Sequence, residues 1–192
     1  MEILARFNER DERIGEATRD DIHAHGYWHE TFHCWFVGTK NGERIVYLQL
    51  RSADKKDYPS HYDITAAGHL LSTETVADGV REIAEEVGVT VTMDDLRSAG
   101  TIQNIVHTTL IDDREWARCY VYDVDAEPTF TLQREEVETL VTCTVSDFQA
   151  LIAHTAAEIP ITDVFTNTTA TLTFDALVPH PQSYFEAIVK AL

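Results

Sequence analysis

The sequence predicts an α/β fold in which a mixed β-sheet lies between helices, an α/β/α sandwich, and three observations carry that expectation. Strand-like and helix-like segments are interspersed along the chain rather than grouped. Residues 43 to 51 (ERIVYLQLR) alternate apolar and polar side chains at the strand period. Residues 75 to 87 and 182 to 191 instead repeat their apolar residues at the helical period.

The elements follow in order. A strand is expected from His33 to Gly38, joined to the Glu43–Arg51 strand through Asn41-Gly42, a dipeptide that accepts the positive φ angles of a tight hairpin turn. Tyr62 to Ala67 reads as a short strand leading into a loop at Gly68, and Thr73 or Thr75 is placed to cap the helix that runs from about Thr75 to Val87. Gly79 inside that helix costs about 1 kcal/mol relative to alanine, which points to close packing or a disturbed first turn. Thr101 to Leu110 and Arg114 to Val124 read as paired strands around Asp112-Asp113, which are expected to be turn residues. A strand at Glu138 to Val145 and helices at Asp147 to His154 and Gln182 to Ala191 complete the set; Phe185, Ile188, Val189 and Leu192 carry the helical spacing at the end.

With 192 residues, 44% of them hydrophobic, and neither a Pro/Gly/Ser-rich linker nor an internal repeat, the chain is expected to form one domain over residues 1–192, with 1–30 as an N-terminal extension. It contains no run of 18 apolar residues, and its first residues are charged, so a cytoplasmic protein without a membrane partner is expected. Cys34, Cys119 and Cys143 lie in apolar, strand-like contexts without paired metal spacing and are expected to be buried thiols. The formal net charge of -18 argues against a nucleic-acid partner, which needs a basic surface for counterion release, but leaves room for a small phosphorylated substrate met locally by cations.

The segment from Gly68 to Val89 (GHLLSTETVADGVREIAEEVGV) is the most informative. At ~100° per residue, Glu82, Glu85 and Glu86 fall within an arc of about 100°, while Val76, Val80, Ile83 and Val87 fall within about 60° on nearly the opposite side. Like charges at this spacing repel, and acids near a helix C-terminus oppose its macrodipole. By spacing alone, a solvated face and a site for a divalent cation fit equally; oxygen ligands of this kind suit Mg²⁺ beside a phosphate.

Gly68, five residues, Glu74, and then Arg81-Glu82-Ile83-Ala84-Glu85-Glu86-Val87-Gly88-Val89 resemble the Nudix signature, G, five residues, E, seven residues, R-E-U-x-E-E-x-G-U, where U is apolar. The final nine positions all fit, and residues 68–89 form the signature loop and helix. One departure stands out: six residues rather than seven separate Glu74 from Arg81, which puts a carried-over role for Glu74 in question. The resemblance implies a Nudix-type sandwich and a hydrolase that cleaves a diphosphate linkage with Mg²⁺ or Mn²⁺ held by Glu82, Glu85 and Glu86. It further implies that Arg81 orients one of those carboxylates, that Gly68 and His69 line the site, and that a further carboxylate acts as base, from the signature helix or from a loop after the later strands, where Glu135-Glu136 is the best candidate and Glu136 the residue chosen.

A narrower resemblance, to the branch that contains isopentenyl-diphosphate isomerase and related hydrolases, runs from about His23 to Gly88 and more weakly through residues 133–137. It implies that Arg51 and Lys55 meet the substrate diphosphate and that His25, His29 and His69 are counterparts of metal-binding histidines. The isomerase uses a cysteine just before its Gly-His pair, whereas Ala67 stands there in this chain. A methyl group cannot shuttle a proton, so hydrolysis of a nucleoside diphosphate derivative or a prenyl diphosphate is expected; the alternatives are a binding module without turnover and, less favoured, the isomerase. The family resemblance admits a homodimer, for which no sequence feature argues.

Overall fold

A computed structural model describes residues 2–107, 112–124 and 128–192. Eleven strands in the described residues are β1 (Ile3–Phe7), β2 (Arg13–Thr18), β3 (Trp28–Lys40), β4 (Glu43–Arg51), β5 (Tyr62–Asp63), β6 (Ala66–His69), β7 (Leu96–His107), β8 (Asp112–Asp123), β9 (Val137–Thr144), β10 (Glu158–Asp163) and β11 (Thr169–Thr173). The helices are α1 (Arg19–His25), α2 (Arg81–Val87), α3 (Val145–Ile152) and α4 (Gln182–Ala191).

β3 is the hub. Along one edge it pairs in parallel with β8, from Trp28 opposite Arg114 to Val37 opposite Asp123. It also pairs antiparallel with β6 through its first half and with β4 through its second. The hairpin between β3 and β4 turns on Asn41 and Gly42, whose φ angles of 54° and 83° match the expected turn. Every other strand pairing is antiparallel, so the sheet is mixed, as expected.

Alternation along β3 and β4 sorts the core into two layers. Phe32, Cys34 and Phe36 of β3, with Ile45 and Tyr47 of β4, pack with Ile83 and Val87 of α2. Trp35 and Val37, with Val46 and Leu48, pack on the opposite face with Phe148, Leu151 and Ile152 of α3 and Tyr184, Phe185 and Ile188 of α4. Helices therefore cover both faces of the sheet, which is the sandwich the interspersed pattern predicts. All three cysteines are free and buried.

Several boundaries differ from expectation. The first core strand begins at Trp28 rather than His33, and residues 62–67 split into two short strands, β5 and β6. Asp112 and Asp113 are not turn residues but the first residues of β8. The strand expected from Thr101 to Leu110 is observed as Leu96–His107, and residues 108–110 lie outside the described part. The helix expected from Thr75 is a 3₁₀ turn over Val76–Val80, capped by Asp78 accepting from the Thr75 N–H at 2.8 Å, and only then an α-helix from Arg81. Gly79 explains the break: a β-carbon there would sit 2.6 Å from Phe32 Cγ, so the turn presses its backbone onto the core ring. The extension before residue 30 is itself structured: β1 and β2 form a hairpin on the sheet, and α1 packs beside β8.

Candidate functional site

The acidic face of α2 is built against the strand that precedes it. Gly68 of β6 makes room for the carboxylate, because a β-carbon there would fall 2.2 Å from Glu82 Cδ and 2.3 Å from its Oε1. The Glu82 carboxylate thus rests directly on the backbone of β6. One turn on, Glu86 is buried and its Oε2 accepts from the Ala67 N–H at 3.0 Å and from Gln49 Nε2 at 3.1 Å. Glu85 is the exposed member, with 53% of its side chain accessible against 12% for Glu82. Gly88, at φ 73°, ends α2 in the left-handed conformation that glycine adopts freely.

Arg81 ties the signature together. Its Nε donates to Glu74 Oε1 at 2.6 Å and its Nη2 to Glu74 Oε2 at 3.0 Å, a bidentate pair, while Nη1 reaches Glu82 at 2.7 Å and Glu85 at 3.2 Å. Across the short loop and its 3₁₀ turn, Glu74 still reaches Arg81, and it also accepts from the Leu71 N–H at 2.7 Å. The Arg81 hydrogen bonds hold the Glu74 carboxyl below its usual range. Glu82 and Glu86 move the other way, with burial pushing their pKa values up to about 7 and about 8.

These carboxylates line a cavity of about 1420 Å³ whose walls also include Arg51, Lys55, Gly68, His69 and Glu136. Of the diphosphate candidates, Lys55 stands at this wall in an ion pair with Glu136. Arg51 is committed within the protein: Nη1 pairs with Asp63 Oδ2 at 3.0 Å, and Nε and Nη2 donate to the carbonyls of Tyr58 and Asp57 at 3.2 and 2.9 Å. It shapes the loop that carries Lys55.

A second cluster occupies the same cavity. The rings of His23, His29 and His69 lie with centroids 5.1 to 5.4 Å apart, and each presents Nε2 buried and without a hydrogen-bond partner among the described residues. Asp113 Oδ1, equally unpartnered, is 3.5 Å from His29 Nε2 and 3.7 Å from His23 Nε2. One atom each of His29, Asp113 and Glu115 lies within 4.8 Å of the others. Burial lowers the His29 pKa to about 4, so that its imidazole is neutral near pH 7, and burial also raises the Asp113 and Glu115 carboxyls. Three neutral imidazoles, the half-buried Asp113 with its unpartnered Oδ1 and the buried Glu115 are a donor set that suits a divalent cation.

His25 does not belong to this set. Its Nδ1 contacts the Asp21 carbonyl at 2.9 Å and its ring stacks on Tyr27 at the exposed end of α1, whereas His23 points inward beside the buried Ile22. The spacing would have separated them only if 19–25 had been read as a helix, capped by Thr18 at one end and by Gly26 at the other. Asp113 and Glu115 carry a clearer signal: two residues apart on one strand, they share a face.

A model of the NUDIX domain matches residues 28–165. An uncharacterised Nudix hydrolase of Clostridium acetobutylicum is 32% identical over 199 residues, an alignment that covers 100% of this chain and 97% of that protein. Isopentenyl-diphosphate Delta-isomerase 1 of Photorhabdus laumondii is 29% identical over 93 residues, covering 47% of this chain and 51% of that one. Among solved structures, a Deinococcus radiodurans protein superposes with a TM-score of 0.59 at 23% identity, over 80% of this chain and 90% of that chain.

Proposed function

The chain belongs to the Nudix family, and from that membership we propose that it hydrolyses a diphosphate linkage in a small phosphorylated molecule, with Mg²⁺ or Mn²⁺ held by Glu82, Glu85 and Glu86. The observation that carries this reading is the position of Glu82, half-buried, and Glu86, buried, at the wall of a cavity large enough for a nucleotide-sized or prenyl substrate. Two carboxylates whose pKa values burial lifts to about 7 and about 8 are poor anions without a compensating charge. When bound, a divalent cation neutralises the diphosphate, stabilises charge on the leaving phosphate and lowers the pKa of the attacking water.

The chain's own residues do the rest. Arg81, locked by Glu74, fixes the Glu82 carboxylate against Gly68 so that its geometry is set before substrate arrives. Lys55 takes the diphosphate, and in turning to it releases the Glu136 carboxylate, which then accepts a proton from water. Arg51 supports that step by holding the carbonyls of Asp57 and Tyr58. His23, His29, His69, Asp113 and Glu115 would hold a second cation nearby.

Isomerisation is not favoured despite the partial similarity to an isopentenyl-diphosphate isomerase. An allylic shift needs a proton added at one carbon and removed from another, and Ala67 supplies none. A binding module without turnover has no physical use for three clustered glutamates whose mutual repulsion weakens the helix. The test is a Mg²⁺-dependent phosphate-release screen over nucleotides, nucleotide sugars and prenyl diphosphates. Turnover of at least one class, abolished in Glu85→Gln and Glu86→Gln proteins that remain folded, supports the reading; undiminished turnover in both variants refutes the metal site.

A further inference from the structure

His180 comes from beyond the residues the family model matches, on the segment that leads into α4, yet it lines the same cavity. That segment is laid beside β5 by the Val178 N–H donating to the Tyr62 carbonyl at 2.9 Å. Its side chain and that of Asp63 are each only 7% accessible. One ring nitrogen, Nε2, is 3.0 Å from Asp63 Oδ1, and the other, Nδ1, is 3.1 Å from Asn104 Oδ1. Asn104, also buried, donates its Nδ2 to Glu115 Oε2 at 2.5 Å. Asp63 in turn holds Arg51 at 3.0 Å and accepts from the Ile64 N–H at 2.8 Å.

A carboxylate can only accept, so Asp63 takes its hydrogen bond from Nε2, while Nδ1 faces the Asn104 amide whose NH₂ is turned to Glu115. Burial by itself would raise the Asp63 carboxyl, but the His180 hydrogen bond and charge, with Arg51 and the Ile64 N–H, hold it below the ordinary carboxylate range.

We propose that His180 is a positioning residue of the site: its ring, clamped by Asp63, sets the Asn104 amide and through it aims the Glu115 carboxyl at His29 and Asp113. This rests on the reading of Glu115 as part of the reacting centre, but its first test does not. In the metal-free, ¹⁵N-labelled protein the Asn104 side-chain amide resonances, assigned by their loss in Asn104→Ala, should shift in His180→Gln. Amide resonances left unmoved by His180→Gln overturn the proposal.

The second test is a double-mutant cycle on turnover of whichever substrate the screen identifies, with thermal unfolding as control. His180→Gln and Asn104→Ala should each lower kcat about tenfold, as loss of a group that orients a ligating side chain does, while KM stays within about twofold. The double variant should lose no more than either single one. Losses that multiply to about 100-fold mean that the two side chains act independently, and they overturn the relay. The Asn104 amide measurement decides where no substrate turns over.

Discussion

Replacing Gly68 with alanine separates the site from the fold most cleanly. The added β-carbon would lie 2.2 Å from Glu82 Cδ and 2.5 Å from Oε2. An ordinary carbon contact needs about 3.5 Å, so the carboxylate must withdraw by roughly 1.3 Å. It cannot do so freely, since Glu82 is held at 2.7 Å by Arg81, itself fixed on Glu74. Relief comes from the end of a side chain rather than from backbone, so the fold should lose only about 1 kcal/mol, a fall in Tm of ~2–4 °C for a chain of this size. Misplacing a metal-binding carboxylate by about 1 Å should lower kcat/KM on the order of 100-fold. The assay is Mg²⁺-dependent phosphate release beside a thermal melt. Turnover within twofold of the parent would show that Glu82 need not rest on Gly68 and would refute this account of the signature loop.

Gly79→Ala drives a β-carbon into the buried Phe32 ring and should cost about 1–3 kcal/mol, read as a lower Tm with a metal affinity unchanged in calorimetry. The metal-free protein should lose stability between about pH 6.5 and 8. Glu82 and Glu86, at about 7 and about 8 when folded against 4.5 as the reference, stabilise fully only below the unfolded value and lose that contribution as pH rises. His29 acts oppositely and only below its reference of 6.5, so thermal melts over the higher window isolate the carboxylates; a Tm that rises across it in chelator contradicts the assignment, as does a slope that added Mg²⁺ fails to flatten. His23→Ala should remove one bound metal equivalent by elemental analysis while His25→Ala removes none, and equal loss in both would contradict the placement of the histidine cluster.

What the sequence conveyed was set by period and spacing. β4 runs over Glu43–Arg51 and α4 over Gln182–Ala191, where local alternation agrees with tertiary packing. The Arg81–Gly88 stretch was equally legible, since its glutamates owe their mutual geometry to the helix alone. The start of that helix was not: Val76–Val80 reads as helical by its apolar spacing, but the contact of Gly79 with Phe32 is long-range and tightens the turn to 3₁₀. Asp113 reads as a turn residue because acidic pairs favour turns, whereas the antiparallel pairing with Val106 of β7 extends β8 back through it and sets it beside His29. Short segments such as β1, β2, α1, β10 and β11 carry little periodicity of their own and are fixed by their neighbours in the sheet. His180 has no sequence context that singles it out, because its partners, Asp63 and Asn104, are 117 and 76 residues away.

The claim on which the rest depends is that the acidic face of α2 holds a divalent cation against the cavity. Anomalous scattering from a Mn²⁺-soaked crystal measures it directly. A peak among the carboxylates of Glu82, Glu85 and Glu86 that disappears in the Glu86→Gln protein is the expected result; density for manganese confined to the histidine cluster, with those three side chains uncoordinated, would contradict it.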